Sequence, residues 1–254
     1  MTRRDERAVS EVVGFVLIFS LIVSAIALIS VFGLQALEDT RDNEEVNNAQ
    51  RAFDVLRDNL RDIHRQGAPS RATEISLENA QLRVGEPVRI NITGVDVDTG
   101  TTASNGFTYE PIVFESRSET DIVYSGGAVF LDPREGGLML QDPPVLINDD
   151  QFVFPVIQTQ SVGGLTSVGG QTVRIRAEKQ QRQPLRGGFA SSNTEYEELV
   201  VNITSPRSDL WRNYLEERPS VSCISPKDDN VRCTVSSPDR VYVSRTLMSY
   251  EFEN

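Results

Sequence analysis

The chain has a single histidine, His64, and that scarcity closes off much chemistry. A Ser-His-Asp hydrolase needs an imidazole base, and His64 is the one candidate. One histidine without clustered Cys or carboxylates is also a poor metal site. Its place at the end of an amphipathic segment reads as a surface position. Lysine is almost as scarce, at positions 179 and 227 only, while arginine is abundant. With 25 basic against 37 acidic residues the net charge is −12. That balance argues against nucleic acid as a partner, since such binding needs basic patches. An acidic, lysine-poor surface stays solvated where salt screens charge, which fits an external, halophilic setting.

Other motifs are missing too. Ser161-Val162-Gly163-Gly164 returns as Ser167-Val168-Gly169-Gly170, with no following Lys and no βαβ context, so it is no phosphate loop. It reads as a flexible hairpin loop, or a tip that touches another subunit. The pairs Asp149-Asp150 and Asp228-Asp229 lack the ladder of oxygen ligands of an EF-hand and read as solvated turn carboxylates. A glycosidase pair has no better support, since any acidic domain offers candidate carboxylates. The expectation is a protein without enzymatic activity, cofactor or metal.

What the chain does have is one long uncharged run. Val12 to Leu37 carry no charged side chain, directly after the leader MTRRDERA. A helix rising about 1.5 Å per residue needs roughly 20 apolar residues to cross a bilayer core of about 30 Å. Three readings fit: a cleaved secretory signal, a plain signal anchor, and a pilin-type helix that is cut on its cytoplasmic side and retained. Ala25-Ile26-Ala27 offers a small-x-small signal site, but the apolar run continues past it through Phe32 and Leu34. Arg3, Arg4 and Arg7 precede the run, and Glu38, Asp39, Arg41, Asp42, Glu44 and Glu45 follow it. Basic flanks stay cytoplasmic, so a single-pass protein is expected, N-terminus inside and C-terminal domain extracellular.

The junction Arg7-Ala8-Val9-Ser10-Glu11-Val12-Val13-Gly14 resembles the leader of archaeal type IV pilin-like proteins, those of haloarchaea especially. In that family a prepilin peptidase cuts after a small residue that follows Arg or Lys. The resemblance implies a cut between Ala8 and Val9, a mature start at Val9, and partners comprising the lipid bilayer, the peptidase and other pilin subunits. Glu11 stands where many leaders of this family carry Pro. More loosely, Arg65 to Thr73 and Trp211 to Arg218 resemble a haloarchaeal family of uncharacterised pilin-like membrane proteins. A minor subunit of a type IV pilus-like assembly, serving surface structure or adhesion, is the function implied. The alternative is a non-polymerising, anchored extracellular binding or sensor domain.

Within the apolar run, Ser20, Ser24, Ala27 and Ser30 recur at helical spacing and offer a close-packing face, or are simply the small residues common in membrane helices. Gly14 lies in register with the leader. Glu11 either pairs with the amine freed at Val9, setting register between subunits, or snorkels at the interface. Beyond the run, Ala49, Ala52, Phe53, Leu56, Leu60 and Ile63 repeat every three or four residues, an amphipathic helix ended by Gly67 and Pro69.

The remainder reads as strands. Candidates run over 87–93, 107–115, 122–124, 128–131, 138–141, 152–159, 172–177, 195–204, 231–235, 240–243 and 246–252, separated by turn residues. One helix interrupts them over Asp209–Arg218, capped by Ser205-Pro206 or Ser208, with Trp211 as a core anchor. The expected fold is α+β: a long N-terminal transmembrane and stalk α-helix, then a mainly antiparallel β-sandwich-like head with one short helix. The expected divisions are a leader (1–8), a transmembrane helix (9–37), an amphipathic stalk (38–69) and a head (70–254). Outside the cell, Cys223 and Cys233 suggest a disulfide, with two free thiols as the rival reading. Asn91-Ile92-Thr93 and Asn202-Ile203-Thr204 match the N-glycosylation pattern of a surface glycoprotein.

Overall fold

Sixty-one residues in one helix require a sequence free of breakers, and α1 (Asp5–Arg65) contains no proline and only Gly14 and Gly33. In the computed structural model, which describes residues 5–134, 136–184, 189, 196–236 and 238–253, the helix stops at Gly67. Gly67 takes φ 74°, a left-handed conformation that glycine adopts without a Cβ penalty, and the Ala68 N–H returns to the Asp62 carbonyl at 3.4 Å. The chain divides into two compact units, Met1–Glu45 and Val46–Asn254. In the first, Val12–Phe32 forms an apolar span of 21 residues, none of it buried. At about 1.5 Å per residue this matches a hydrocarbon core of about 30 Å, so the unit is compatible with a single membrane anchor.

In the second unit, the last turns of α1 are followed by β1 (Ser70–Ser76), β2 (Gln81–Val84), β3 (Val88–Asp96) and β4 (Thr102–Tyr109). Next come β5 (Ile112–Glu115), β6 (Thr120–Ser125), β7 (Ala128–Pro133), β8 (Leu138–Gln141) and β9 (Leu146–Ile147). β10 (Gln151–Ser161), β11 (Ser167–Gly169), β12 (Thr172–Pro184) and β13 (Tyr196–Thr204) lead to α2 (Ser208–Glu216). β14 (Val221–Lys227), β15 (Asn230–Ser236) and β16 (Arg240–Glu253) close the chain. Three sheets result, in the orders β1-β12-β16-β10-β9, β11-β2-β5-β6-β7-β8 and β14-β15-β13-β3-β4. Pairing is antiparallel except between β10 and β16, which run parallel with Gln151 opposite Arg240 and Ser161 opposite Tyr250. The fold is α+β with a β-rich head.

The six-stranded sheet has a core on each face. Val113, Val123, Ala128 and Phe130 point into one. Ile112, Phe114, Ile122, Tyr124 and Val129, the alternate residues, point into the other. A period of two makes a doubly buried strand a continuous apolar run, as in Ile112-Val113-Phe114. The first core holds the inner face of the β14–β4 sheet and α2, with Trp211 buried against Phe130 at 5.7 Å between ring centroids. The second holds Ile75, Val173, Ile175, Met248 and Phe252 from the β1–β9 sheet.

The second core also holds the end of α1, and this revises the expected stalk. Ala49, Phe53, Leu56, Leu60 and Ile63 are buried, and Phe53 meets Phe114 edge-on at 6.5 Å. Residues 46–65 are thus part of the head rather than a separate stalk, and the boundary falls at Glu45 instead of residue 69. His64, expected at the surface, is buried as well, with Nδ1 2.9 Å from Thr246 Oγ1. It lies four residues after Leu60 and eight after Leu56, so the apolar stripe carries it inward.

Other boundaries shift for local reasons. The expected 107–115 strand is two, because the chain leaves one sheet for another at Glu110-Pro111. There the Glu110 N–H meets the Thr159 carbonyl at 2.8 Å, and the Gly85 N–H meets that of Pro111 at 2.8 Å. The segments 240–243 and 246–252 are one strand, β16. Helix α2 begins after Arg207 with no side-chain cap. Ser205 Oγ accepts from the Arg207 N–H at 3.1 Å, and Ser208 Oγ donates to the Asp228 carbonyl at 2.9 Å, which ties α2 to the β14–β15 turn.

Candidate functional site

The N-terminal candidates lie on α1. Ala8, Val9 and Glu11 fall inside its first turns, and their side chains lie outside those described. A Cβ added at Gly14 would meet nothing within 4 Å. Ser20, Ser24 and Ala27 are exposed, as are the large apolar residues from Val12 to Phe32. Exposed apolar area on this scale, at roughly 25 cal/mol per Å², is strongly unfavourable in water and neutral in lipid.

In the head, a cleft of about 110 Å³ opens beside the end of α1. Arg57, Arg61, His64 and Arg65 line it from the helix, and Tyr124, Gly127, Pro144 and Ile157 from the sheets and the loop after β8. The three arginines recur at i, i+4 and i+8, one turn apart on one helix face. Arg57 is held in place, donating from Nη2 to the Asp142 carbonyl at 3.3 Å and lying 3.6 Å from Asp58. Gly127, at φ 96°, brings the β6–β7 turn close to the wall; a Cβ there would stand 2.8 Å from Pro144 and 3.0 Å from Ile157. Tyr124 is 1% exposed. Burial raises its hydroxyl pKa well above the ordinary 10.0, and the Arg57 charge opposes that shift.

A second recess is lined by Glu115, Glu119, Asp121 and Asp132, and arginines neutralise it. Arg83 bridges Glu115 at 2.7 Å and Asp121 at 3.5 Å, Arg207 holds Asp132 at 2.7 Å, and Arg134 pairs with Glu119. Burial raises the Asp121 carboxyl, with Arg83 pulling it down and Glu115 pushing it up. Among the described residues no three His, Cys, Asp or Glu side chains group so as to hold a metal.

The structure brings the two glycosylation sequons together. Asn91 on β3 and Asn202 on β13 are direct cross-strand partners. Both point away from the core, since Ile90, Ile92, Val201 and Ile203 point into it. Asn91 Oδ1 accepts from Ser104 Oγ at 3.1 Å, and Asn202 Oδ1 from Asn230 Nδ2 at 2.7 Å. Cys223 and Cys233 are likewise opposed, on β14 and β15, and are joined by a disulfide with their Cα atoms 4.0 Å apart. In the glycine repeat, Gly163 and Gly164 take positive φ in the bend after β10, and Ser167–Gly169 forms the edge strand β11. Ser220 Oγ donates to Asp149 at 2.8 Å, and Asp228-Asp229 forms the β14–β15 turn.

The cleft escapes a reading of the sequence. The arginine spacing is visible there, but nothing places Tyr124, Gly127 and Pro144 opposite it. Residues 7–251 match a family of unknown function, DUF7289, and the chain belongs to that family. No curated protein and no solved structure matches the chain.

Proposed function

We propose that the protein is a membrane-anchored, pilin-like surface subunit, a minor component of an archaeal type IV pilus-like assembly serving surface structure or adhesion. One observation carries this reading. A wholly exposed apolar span, Val12–Phe32, follows the basic Arg7-Ala8 leader and continues as the same helix that ends in the head core. The last turns of that helix are packed in the head core, so the head holds its end of the link to the span, which suits a protein that is clipped at the leader and retained. The family match runs from Arg7 to residue 251, so it takes in span and head together.

In this reading the arginines before the span hold the N-terminus in the cytoplasm and the head faces outward. Prepilin peptidase cuts between Ala8 and Val9. Ser20, Ser24 and Ala27 form the face on which spans pack, and Glu11 pairs with the amine of Val9 on a neighbouring subunit. The basic-lined cleft in the head favours a second reading, an anchored binding domain that never polymerises. N-terminal sequencing of the membrane-extracted protein separates the two. A start at Val9, and a larger uncut band for Ala8→Leu, support the pilin reading. A start at Met1 or Thr2 refutes it.

A further inference from the structure

We infer that the cleft beside the end of α1 is a binding site for a phosphate-type oxyanion, made by Arg57, Arg61, Arg65 and Tyr124. This goes beyond the proposed function and does not rest on it. The first observation is a row of charge of which two members, Arg61 and Arg65, have no counter-charge among the described residues. In a chain of net charge −12, three guanidinium groups stand along one cleft. Asp62 is engaged by Arg71 at 3.3 Å and Asp142 by Arg218 at 3.4 Å, both outside the cleft lining. Among the described residues the one ion pair made by the three arginines is that of Arg57 with Asp58, at 3.6 Å. Among the described residues neither the Arg61 nor the Arg65 guanidinium forms an ion pair or a side-chain hydrogen bond.

The second observation is independent of the first. Tyr124 is 1% exposed, lines the cleft, and its hydroxyl makes no hydrogen bond among the described residues. That hydroxyl is not sealed in the core, so it is left to whatever enters the cleft, whereas the other buried tyrosines near it have protein partners. Tyr109 pairs with Ser125 Oγ at 3.1 Å, and Tyr250 donates to the Pro111 carbonyl at 3.2 Å. Basic side chains in the last turn of a helix complement its dipole, which accounts for Arg65 but not for an unused donor beneath it.

The donors select the ligand. Guanidinium forks and a phenol offer hydrogens only to acceptors, and a tetrahedral oxyanion with three free oxygens engages more of them than a carboxylate with two. A volume of about 110 Å³ gives room for a phosphate group. The group can come from free phosphate or from a lipid headgroup.

The test uses the full-length chain in an uncharged detergent, titrated calorimetrically with inorganic phosphate and, separately, with water-soluble dihexanoyl phosphatidic acid. Saturable binding of either supports the site; saturation by inorganic phosphate assigns a free anion, and saturation by the short lipid alone assigns a headgroup. Arg61→Ala with Arg65→Ala weakens binding about a hundredfold, and Tyr124→Phe about fivefold, with unfolding temperatures within a few degrees of the parent. Both arginines are exposed and the phenylalanine keeps the ring, so these variants fold. Absence of saturable binding of both probes overturns the proposal, and so does binding that these variants leave unchanged.

Discussion

Replacing Phe53 by alanine tests whether the last turns of α1 are core or stalk. Phe53 is 0% exposed and packs edge-on against Phe114 at 6.5 Å. Its loss removes a fully buried ring and leaves a cavity between α1 and the six-stranded sheet, a change that costs about 3–5 kcal/mol. For a head of this size each kcal/mol lowers the unfolding temperature by about 2–4 °C, so a fall of roughly 6–20 °C is expected. Val55, two residues on and 53% exposed, is the internal control. Val55→Ala keeps the same helix and stays within about 0.5 kcal/mol of the parent. Thermal unfolding of the detergent-solubilised chain, followed by the far-ultraviolet circular dichroism of the strands, makes the measurement. Adding Phe114→Ala closes a double-mutant cycle, with a coupling of about 0.5–1.5 kcal/mol expected for an edge-on pair. If Phe53→Ala melts within 2 °C of Val55→Ala, the helix end is not part of the core.

Three further outcomes follow from the geometry. Cys233→Ser opens a loop with a sequence separation of 10, which the loop-entropy relation converts to about 2.7 kcal/mol, and the unfolding temperature should fall by roughly 5–11 °C, an effect that reductant reproduces. Gly127→Ala places a methyl 2.8 Å from Pro144 at φ 96° and should destabilise the head by about 1–3 kcal/mol in denaturant titration, whereas Gly100→Ala, with open space around it, retains only the conformational penalty of its φ of 64°. Burial raises the pKa of Tyr109, Tyr124 and Tyr250 above 10.0. The folded state then holds protons that the unfolded chain releases, so the stability these tyrosines contribute is full below pH 10 and declines above it. Absorbance at alkaline pH should show them ionising together with the loss of circular dichroism; ionisation without unfolding would refute their burial.

Much of the fold is legible where side chains alternate. Val88, Ile90 and Ile92 mark β3, Val173, Ile175 and Ala177 mark β12, and Leu138–Gln141 coincides with β8. What fails is pairing between distant segments. β14 reads Ser-Cys-Ile-Ser-Pro-Lys after Val221, with few strand formers, and exists because β15 and the disulfide hold it. β1 has only Ala72 and Ile75 as apolar residues and is fixed by a register with β12 a hundred positions away, Ser70 opposite Glu178. The split of residues 107–115 between two sheets rests on Glu110-Pro111, a corner that no periodicity announces.

The end of α1 shows why the candidate site is harder to read than the fold. One stretch of twenty residues carries two patterns at once. Phe53, Leu56, Leu60, Ile63 and His64 form the stripe that enters the core, and Arg57, Arg61 and Arg65 form a second stripe beside it. Alone, the second stripe is indistinguishable from an ordinary solvated face, because charges at i and i+4 are what any exposed helix displays. It becomes a site only when the first stripe docks. Burying Leu56 and Leu60 fixes the rotation of the helix, and that rotation sets Arg57 against the Asp142 carbonyl, 85 residues away, and the arginine row alongside Tyr124. The core stripe therefore positions the basic one, so a change such as Leu60→Ala should loosen the arginine row before it unfolds the head.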